Sequence, residues 1–513
     1  MSVGKVYLIG AGPGDPGLIT LRGARALGLA DVVLYDALAH PALLQHARPS
    51  AELRSVGKRY GEHSFSQDAI NAELVQLARA GQVVARLKGG DPMLFARGAE
   101  EVETLASAGI PFEIIPGITS SIGAAAYAGI SLTHRDLSSS VAFITGTESP
   151  GKERTAHDWS KLATATQTLC VIMGMKRLAE ITSALIAHGR DPSTPAAVVH
   201  WGTWWRQQVV EGTVADICER VERAGVANPS VVIIGEVAGL RQHMRWFDTK
   251  PLFGKRVLVT RPVGQAEETA RELRERGADP VLVPAIAIVP APDRERFERA
   301  LRELDRYDMV AFTSANGVIA TISELRNQRR DVRAFGRAQV AAIGSGTAQV
   351  LAGFGLHADV VAREFVAEGL AESVLATLGS ARPQRVLLLR ALVGREVFPE
   401  LLREAGISVD VVAAYATRPV DPEAISALAT ELKEGRIDVV TFTSSSTVRE
   451  TCAALGPSAA DLLAKTTLGV IGPVTAATAR ELGLRVDVTA ATYTVAGLMD
   501  ALEAHFARPE PSA

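Results

Sequence analysis

The run RLKGGDPMLFARGAEE, residues 86–101, gathers residue types that do chemistry at close quarters. It follows Val83-Val84, an apolar pair that reads as the end of a short strand. Gly89 and Gly90 carry no Cβ, so backbone there can approach a ligand closely. Asp91 offers a carboxylate directly after them, and Pro92 fixes the exit of the turn. Glu100 and Glu101 then open a helical run, EEVETLASAG. A strand, a Gly-Gly-Asp-Pro turn and a helix start describe a loop at the carboxyl end of a strand, where open α/β sheets bind ligands. A tight turn without a ligand fits the same residues, so the surrounding elements must decide.

Those elements have βαβ rhythm. KVYLIG (5–10) is a buried-strand run, AGPGDPG a turn, LITLRGARALGLA a helix with apolar residues at helical spacing, and DVVLYD a second strand. A dinucleotide fingerprint fits poorly: a G-x-G-x-x-G reading from Gly10 puts Asp15 where the third glycine belongs, and Pro13 removes an N–H from the phosphate cradle. SVGKRYG (55–61) and a helix from Gln67 to Ala80 lead into the opening loop. Beyond it come strand IPFEII, a Pro-Gly turn and a small-residue helix, with Thr119 or Ser120 placed to cap that helix or to hold a ligand. The pattern repeats as VAFITG, TLCVIMG, LAEITSALIAHG, AAVVHWG, a hairpin-like QQVVEGTVADI, and NPSVVIIGEVAGLR. This gives two α/β units, joined near residues 115–120, whose glycine-rich turns face one cleft. His134 reads as a structural turn residue.

The chain of 513 residues has room for about three or four domains. Balanced charge, 54 basic against 57 acidic residues, argues against nucleic-acid binding by bulk charge and leaves room for a local basic cleft. Cys170, Cys218 and Cys452 stand far apart, as buried reduced thiols would in a cytoplasmic protein, without metal-ligand spacing. No window approaches the roughly 20 apolar residues of a membrane span.

GAGPGDPGLITLRG, ADVVLYD, RLKGGDP, IPGITSSIGAAAYAGISLTHRD and VIMG, in this order over about residues 3–247, resemble the tetrapyrrole methylase family. Within it they look like the uroporphyrinogen-III C-methyltransferases, which use S-adenosylmethionine. The resemblance implies two α/β domains (about 1–116 and 117–247) around a cleft for the methyl donor. It places donor contacts on Pro13, Gly89, Gly90, Asp91, Leu94, Thr119, Ser120, Met173 and Gly202. A carboxylate such as Asp91 suits the donor's ammonium. Methyl acceptance by an electron-rich pyrrole carbon needs no activated nucleophile, only proton management, for which the family points to Asp36 as acceptor and Lys58 as donor. It also implies a homodimer through this half. Ala96 and Ala99 stand where the family has glycines and Thr147 where it has histidine, which bears on the loop's reach toward substrate. A different precorrin methyltransferase would show similar motifs.

RWFDTKPLFGKRV follows, with residues 248–253 as a linker. Then a repeat appears at an offset of about 130 residues: RVLVTRP at 256 answers RVLLLRA at 385, DMVAFTSANGV at 308 answers DVVTFTSSSTV at 438, and VAAIGSGTA at 340 answers LGVIGPVTA at 468. Each copy reads as a flavodoxin-like lobe, with hydroxyl-rich turns at strand ends suited to a polyanion. The proline-bearing VLVPAIAIVPAP is excluded from a central sheet position and reads as a crossover.

GKRVLVTRP, VPAIAIVP, FTSANGV, AIGSGTA, AYATRP, FTSSSTV and VIGPVTAATA resemble the uroporphyrinogen-III synthase family over residues 254–505. That implies a cofactor-free enzyme in residues 254–507 that closes hydroxymethylbilane and inverts its last ring, with one lobe of 254–287 plus 416–507, the other of 288–415, and a flexible tail at 508–513. The family points to Tyr415 as proton donor, since a tyrosine hydroxyl is protonated at neutral pH. Thr313, Ser314, Ser345, Thr443, Ser444 and Thr475 would steer the substrate. The product of this half is the substrate of the first, so together they imply synthesis of precorrin-2, toward sirohaem and corrinoids. Candidate partners for the substrate carboxylates are Arg86, Lys88, Arg97, Arg261, Arg390 and Arg395. A non-catalytic, bilobed tetrapyrrole sensor is the alternative for the second half.

Overall fold

The computed structural model describes residues 3–57, 66–147, 157–362, 366–377, 384–419 and 422–507. The chain divides into two compact units, Met1–Gly254 and Lys255–Ala513.

In the first unit, β1 (Lys5–Gly10), β2 (Val32–Tyr35), β3 (Glu52–Ser55), β4 (Val83–Lys88) and β5 (Phe112–Ile115) make a parallel sheet in the order β3-β2-β4-β1-β5. Alternation along the strands sends Val6, Leu8, Val32, Leu34 and Val84 to one core with Leu74 and Leu105, and Ile9, Val33, Ala85 and Leu87 to another with Leu27 and Leu43. Being central, β4 does not end at Val84; it runs on to Lys88, taking Arg86 and Lys88 into the interior at 2% exposure each. The helix read over LITLRGARALGLA is shorter, Leu21–Leu27. The Thr20 hydroxyl accepts from Gly23 N at 3.0 Å and caps it there, leaving Pro16–Leu18 as a separate turn.

The second sheet holds β6 (Val141–Thr145), β7 (Thr168–Ile172), β8 (Pro195–His200), β9 (Gln208–Thr213) and β10 (Ser230–Ile234) in the order β6-β7-β10-β8-β9, parallel only between β6 and β7. Residues 245–254 pack onto this unit. Leu252 is fully buried and Phe247 nearly so, and the Trp246 indole donates to the carbonyl of Ala126 at 2.9 Å. The composition of 248–253 resembles a linker; its apolar residues are used as core. Of the cysteines, all free, Cys170 is buried, whereas Cys218 and Cys452 are only partly covered.

In the second unit, β11 (Arg256–Val259), β12 (Asp279–Leu282), β19 (Val439–Phe442), β20 (Thr467–Val470) and β21 (Val488–Thr489) form one parallel sheet in the order β12-β11-β19-β20-β21. The other sheet has β13 (Ile286–Pro290), β14 (Met309–Phe312), β15 (Gln339–Ala342), β16 (Val360–Val361), β17 (Arg385–Ala391) and β18 (Ser408–Pro419) in the order β13-β18-β17-β14-β15-β16. A sequence copy is therefore not a lobe. Each lobe takes the first two strands of one copy and the last three of the other, which gives both the flavodoxin-like order 2-1-3-4-5, with β13 added antiparallel at one edge. The proline-bearing β12 and β13 are both edge strands. Across the lobes, Gln265 Nε2 donates to Asn316 Oδ1 at 2.9 Å. Among the described residues no helix is long and apolar enough to cross a membrane.

Candidate functional site

A cavity of about 1130 Å³ lies in the first unit, roomy against the roughly 300–1,000 Å³ of common ligand sites. One wall is the carboxyl end of the parallel sheet; the other comes from the loops after β7 and β8. The loops after β1, β4 and β5 meet backbone to backbone: Gly90 N donates to Gly12 O at 2.8 Å, and a Cβ on Gly117 would come within 2.4 Å of Gly90 O. Gly90 itself has φ +70°, so its conformation favours glycine, although a Cβ there would meet nothing nearer than Thr119 Cα at 3.7 Å. Gly89 differs. A Cβ on it would meet only Leu38 Cβ at an ordinary 3.5 Å, so nothing in the fold requires its bareness, while its backbone faces the cavity.

Of the residues assigned to the methyl donor, Pro13, Gly89, Gly90, Leu94, Thr119, Ser120, Met173 and Gly202 all line this cavity. Asp91 is absent from the wall. Its Oδ1 accepts from Met93 N at 2.8 Å and its Oδ2 from Gly117 N at 2.9 Å, so the carboxylate staples the loop to the turn after β5. Thr119 starts its helix without a side-chain capping bond, and its hydroxyl is left to the cavity. Thr147, the departure from the family's histidine, donates to Met173 O at 2.8 Å and steadies a residue held at φ +55°. Ala96 and Ala99 need no left-handed backbone; the strained residues are Phe95 and Arg97, at φ +55° and +58°. Gly98 is obligatory, since a Cβ would meet Pro92 O at 2.0 Å. Asp15, which spoils the dinucleotide motif, accepts from the Tyr127 hydroxyl at 2.7 Å and donates its N–H to Thr203 Oγ1 at 3.0 Å. It ties the first glycine loop to the opposite wall, and its charge together with burial pushes the Tyr127 proton affinity up.

Asp36 lines the cavity, its Oδ1 taking Arg86 Nη2 at 2.5 Å and its Oδ2 taking Gly89 N at 3.3 Å. Behind it, Glu101 is fully buried. Its Oε1 accepts from Lys88 at 2.6 Å, Gln67 at 3.1 Å and Arg86 at 3.2 Å. Arg86 and Lys88, read as candidate substrate cations, are instead paired inside the protein. Burial, and then the Arg86 charge, lower the Lys88 proton affinity. Lys58 lies outside the described residues. Sequence reasoning missed Trp201, Trp204 and Lys176 in the wall; the aromatic-rich WGTWW at the end of β8 was the available signal.

In the second unit Tyr415 lies in β18, opposite a register shift between Arg390 and Ala391 of β17. It is 6% exposed, and its hydroxyl lies 3.0 Å from Ser314 Oγ. Ser314 also caps the helix Ala315–Asn327 through Gly317 N at 3.1 Å. Ser444 caps its repeat counterpart, Ser445–Leu455, through Thr447 N at 3.2 Å. Thr313 and Thr443 precede these caps, and Ser345 is exposed at the start of the helix Ser345–Gly353. Thr475 is 5% exposed within the helix Pro473–Glu481 and faces the core rather than the turn.

Residues 5–218 match the family model for tetrapyrrole (corrin/porphyrin) methylases, and residues 267–500 that for uroporphyrinogen-III synthase HemD. Fold and site thus define a two-part protein of tetrapyrrole biosynthesis. A porphyrin biosynthesis protein HemD of Ruminiclostridium josui is 34% identical over 502 residues, covering 98% of each chain. A uroporphyrinogen-III C-methyltransferase of Bacillus subtilis (strain 168) is 42% identical over 333 residues, 65% of this chain and 68% of its own. The crystal structure of uroporphyrin-III C-methyltransferase from Thermus thermophilus with S-adenosylhomocysteine is 39% identical, covering 46% of this chain and 100% of that one, with a TM-score of 0.40. The chain belongs to the family in which a uroporphyrinogen-III C-methyltransferase is fused to a uroporphyrinogen-III synthase, and it carries both enzymes.

Proposed function

We propose that the chain closes hydroxymethylbilane to uroporphyrinogen III, inverting the last ring, and then moves two methyl groups from S-adenosyl-L-methionine onto the product to give precorrin-2. The observation that carries the reading is the convergence of eight donor-assigned residues and Asp36 on one cavity, beside a glycine whose bareness the fold does not need. S-adenosylmethionine supplies a sulfonium-bound methyl, an electrophile for a pyrrole carbon. The Gly89 backbone and the Thr119 hydroxyl wrap it, Asp91 holds the loop that does so, and Asp36 accepts the proton that the methylated ring releases. Lys58 is assigned the complementary donation. In the second unit Tyr415, aligned by Ser314, gives its proton to the bilane hydroxyl, which leaves as water; the proton released on ring closure restores it. A homodimer through the first unit and a cytoplasmic setting complete the reading.

The test supplies the purified full chain with hydroxymethylbilane and S-adenosylmethionine. Isomer III carrying two added methyl groups is expected. Accumulation of uroporphyrinogen I alone removes the synthase assignment, and isomer III without methyl uptake removes the methyltransferase assignment.

A further inference from the structure

The sequence offers six cations for the substrate carboxylates, and the structure separates one of them. Arg86 and Lys88 bind Glu101, Arg97 binds Glu100, Arg390 binds Glu396 and Arg395 binds Glu368. Arg261 forms no salt bridge among the described residues. Its Nη1 donates to Thr269 Oγ1 at 3.0 Å and its Nη2 to Gln265 Oε1 at 3.1 Å, both neutral, while its Nε is buried without a partner.

Its place in the fold is specific. Arg261 follows β11 and Ser444 follows β19, and these neighbouring strands flank the point where the 2-1-3-4-5 order reverses, the crevice in which such sheets bind ligands. The repeat makes Arg390 its counterpart, since RVLVTRP and RVLLLRA align. Arg390 is neutralised by Glu396. The acid at the same point of the first copy, Glu267, turns instead to Arg274 at 3.6 Å. Of the two equivalent guanidinium groups, one is thus paired with an acid and the other is not. Gln265, which holds Arg261, also bonds Asn316 on the other lobe, two residues from the Ser314 that touches Tyr415.

We infer that Arg261 is a carboxylate subsite of the interlobe cleft, taking an acetate or propionate side chain of the linear tetrapyrrole and fixing which end of the chain approaches Tyr415. The inference rests on the synthase reading. Burial lowers the proton affinity of this guanidinium, the Glu268 charge opposing it only in part, and a guanidinium kept partly buried without a salt bridge costs stability, which sets up a readout that a structural role would not give.

Full-length Arg261→Gln, Arg261→Lys and Arg261→Met are compared with the parent chain in isomer III formation from hydroxymethylbilane. A charge-assisted bond predicts a KM about ten- to a hundredfold higher for Gln and Met, partly recovered by Lys, with a smaller change in kcat. The unfolding midpoint of Arg261→Met stays level or rises. An unaltered KM, or a loss of rate that follows a lowered midpoint, overturns the proposal. A parent chain that makes no isomer III removes the synthase reading itself, which is a separate outcome.

Discussion

Gly89 and Gly90 sit side by side in the loop that borders the cavity of the first unit, yet their bareness has different causes. At Gly90 the backbone is left-handed, whereas at Gly89 only the cavity is spared a side chain. Gly90→Ala is therefore expected to cost about 1 kcal/mol of stability. Gly89→Ala should leave the unfolding midpoint where it is and weaken S-adenosylmethionine binding by tenfold or more. Calorimetry of binding, paired with thermal unfolding, checks both; equal loss of stability in the two variants would dissolve the distinction. Asp91 shows the same separation of roles, because its two backbone bonds make it a holder of the loop.

At the scale of elements, the central strand β4 carries two cations into the interior only because the helix Gly98–Ser107 brings Glu101 back over them. Glu101→Gln strips the counter-charge from Lys88 and leaves Arg86 with Asp36, and a loss of roughly 3 kcal/mol is expected in denaturant unfolding. Loss of methyl transfer should accompany it, since Arg86 orients Asp36. In the second sheet, burial in β7 pushes the Cys170 thiol up to about 12 from an ordinary 9. A raised folded value means that the thiol's contribution is intact below pH 9 and is lost as pH rises toward 12. Relative to Cys170→Ala, the parent chain should therefore lose about 2 kcal/mol between pH 8 and pH 10.5, at 1.36 kcal/mol per pH unit above 9. A pH-independent difference between the two urea midpoints would contradict this.

For the whole molecule, the proposed sites fall in separate units, and the two activities should separate cleanly. Tyr415→Phe is expected to slow isomer III formation at least tenfold while methylation of supplied uroporphyrinogen III proceeds at the parent rate. Asp36→Asn should do the reverse. Product analysis with each substrate supplied alone decides it; a methylation defect in Tyr415→Phe would count against two independent sites.

The sequence alone determined a good deal. Strand cores such as KVYLIG and VVLY, the glycine turns, the poor fit of Pro13 and Asp15 to a dinucleotide site, and the repeat at about 130 residues are all local patterns of period, chirality and spacing. The resemblance to the methylase family, carried by motifs in order along the chain, assigned nine residues to the methyl donor, and eight of them line one cavity. What the chain could not disclose is pairing between distant groups. Whether Arg86 faces a substrate or Glu101, and whether Asp91 meets a ligand or the amide of Gly117, depend on which segments pack together. Arg261 and Arg390 make the point most sharply: they occupy equivalent positions in two copies of one pattern, and only the tertiary structure decides that Glu396 closes the second while the first stays open.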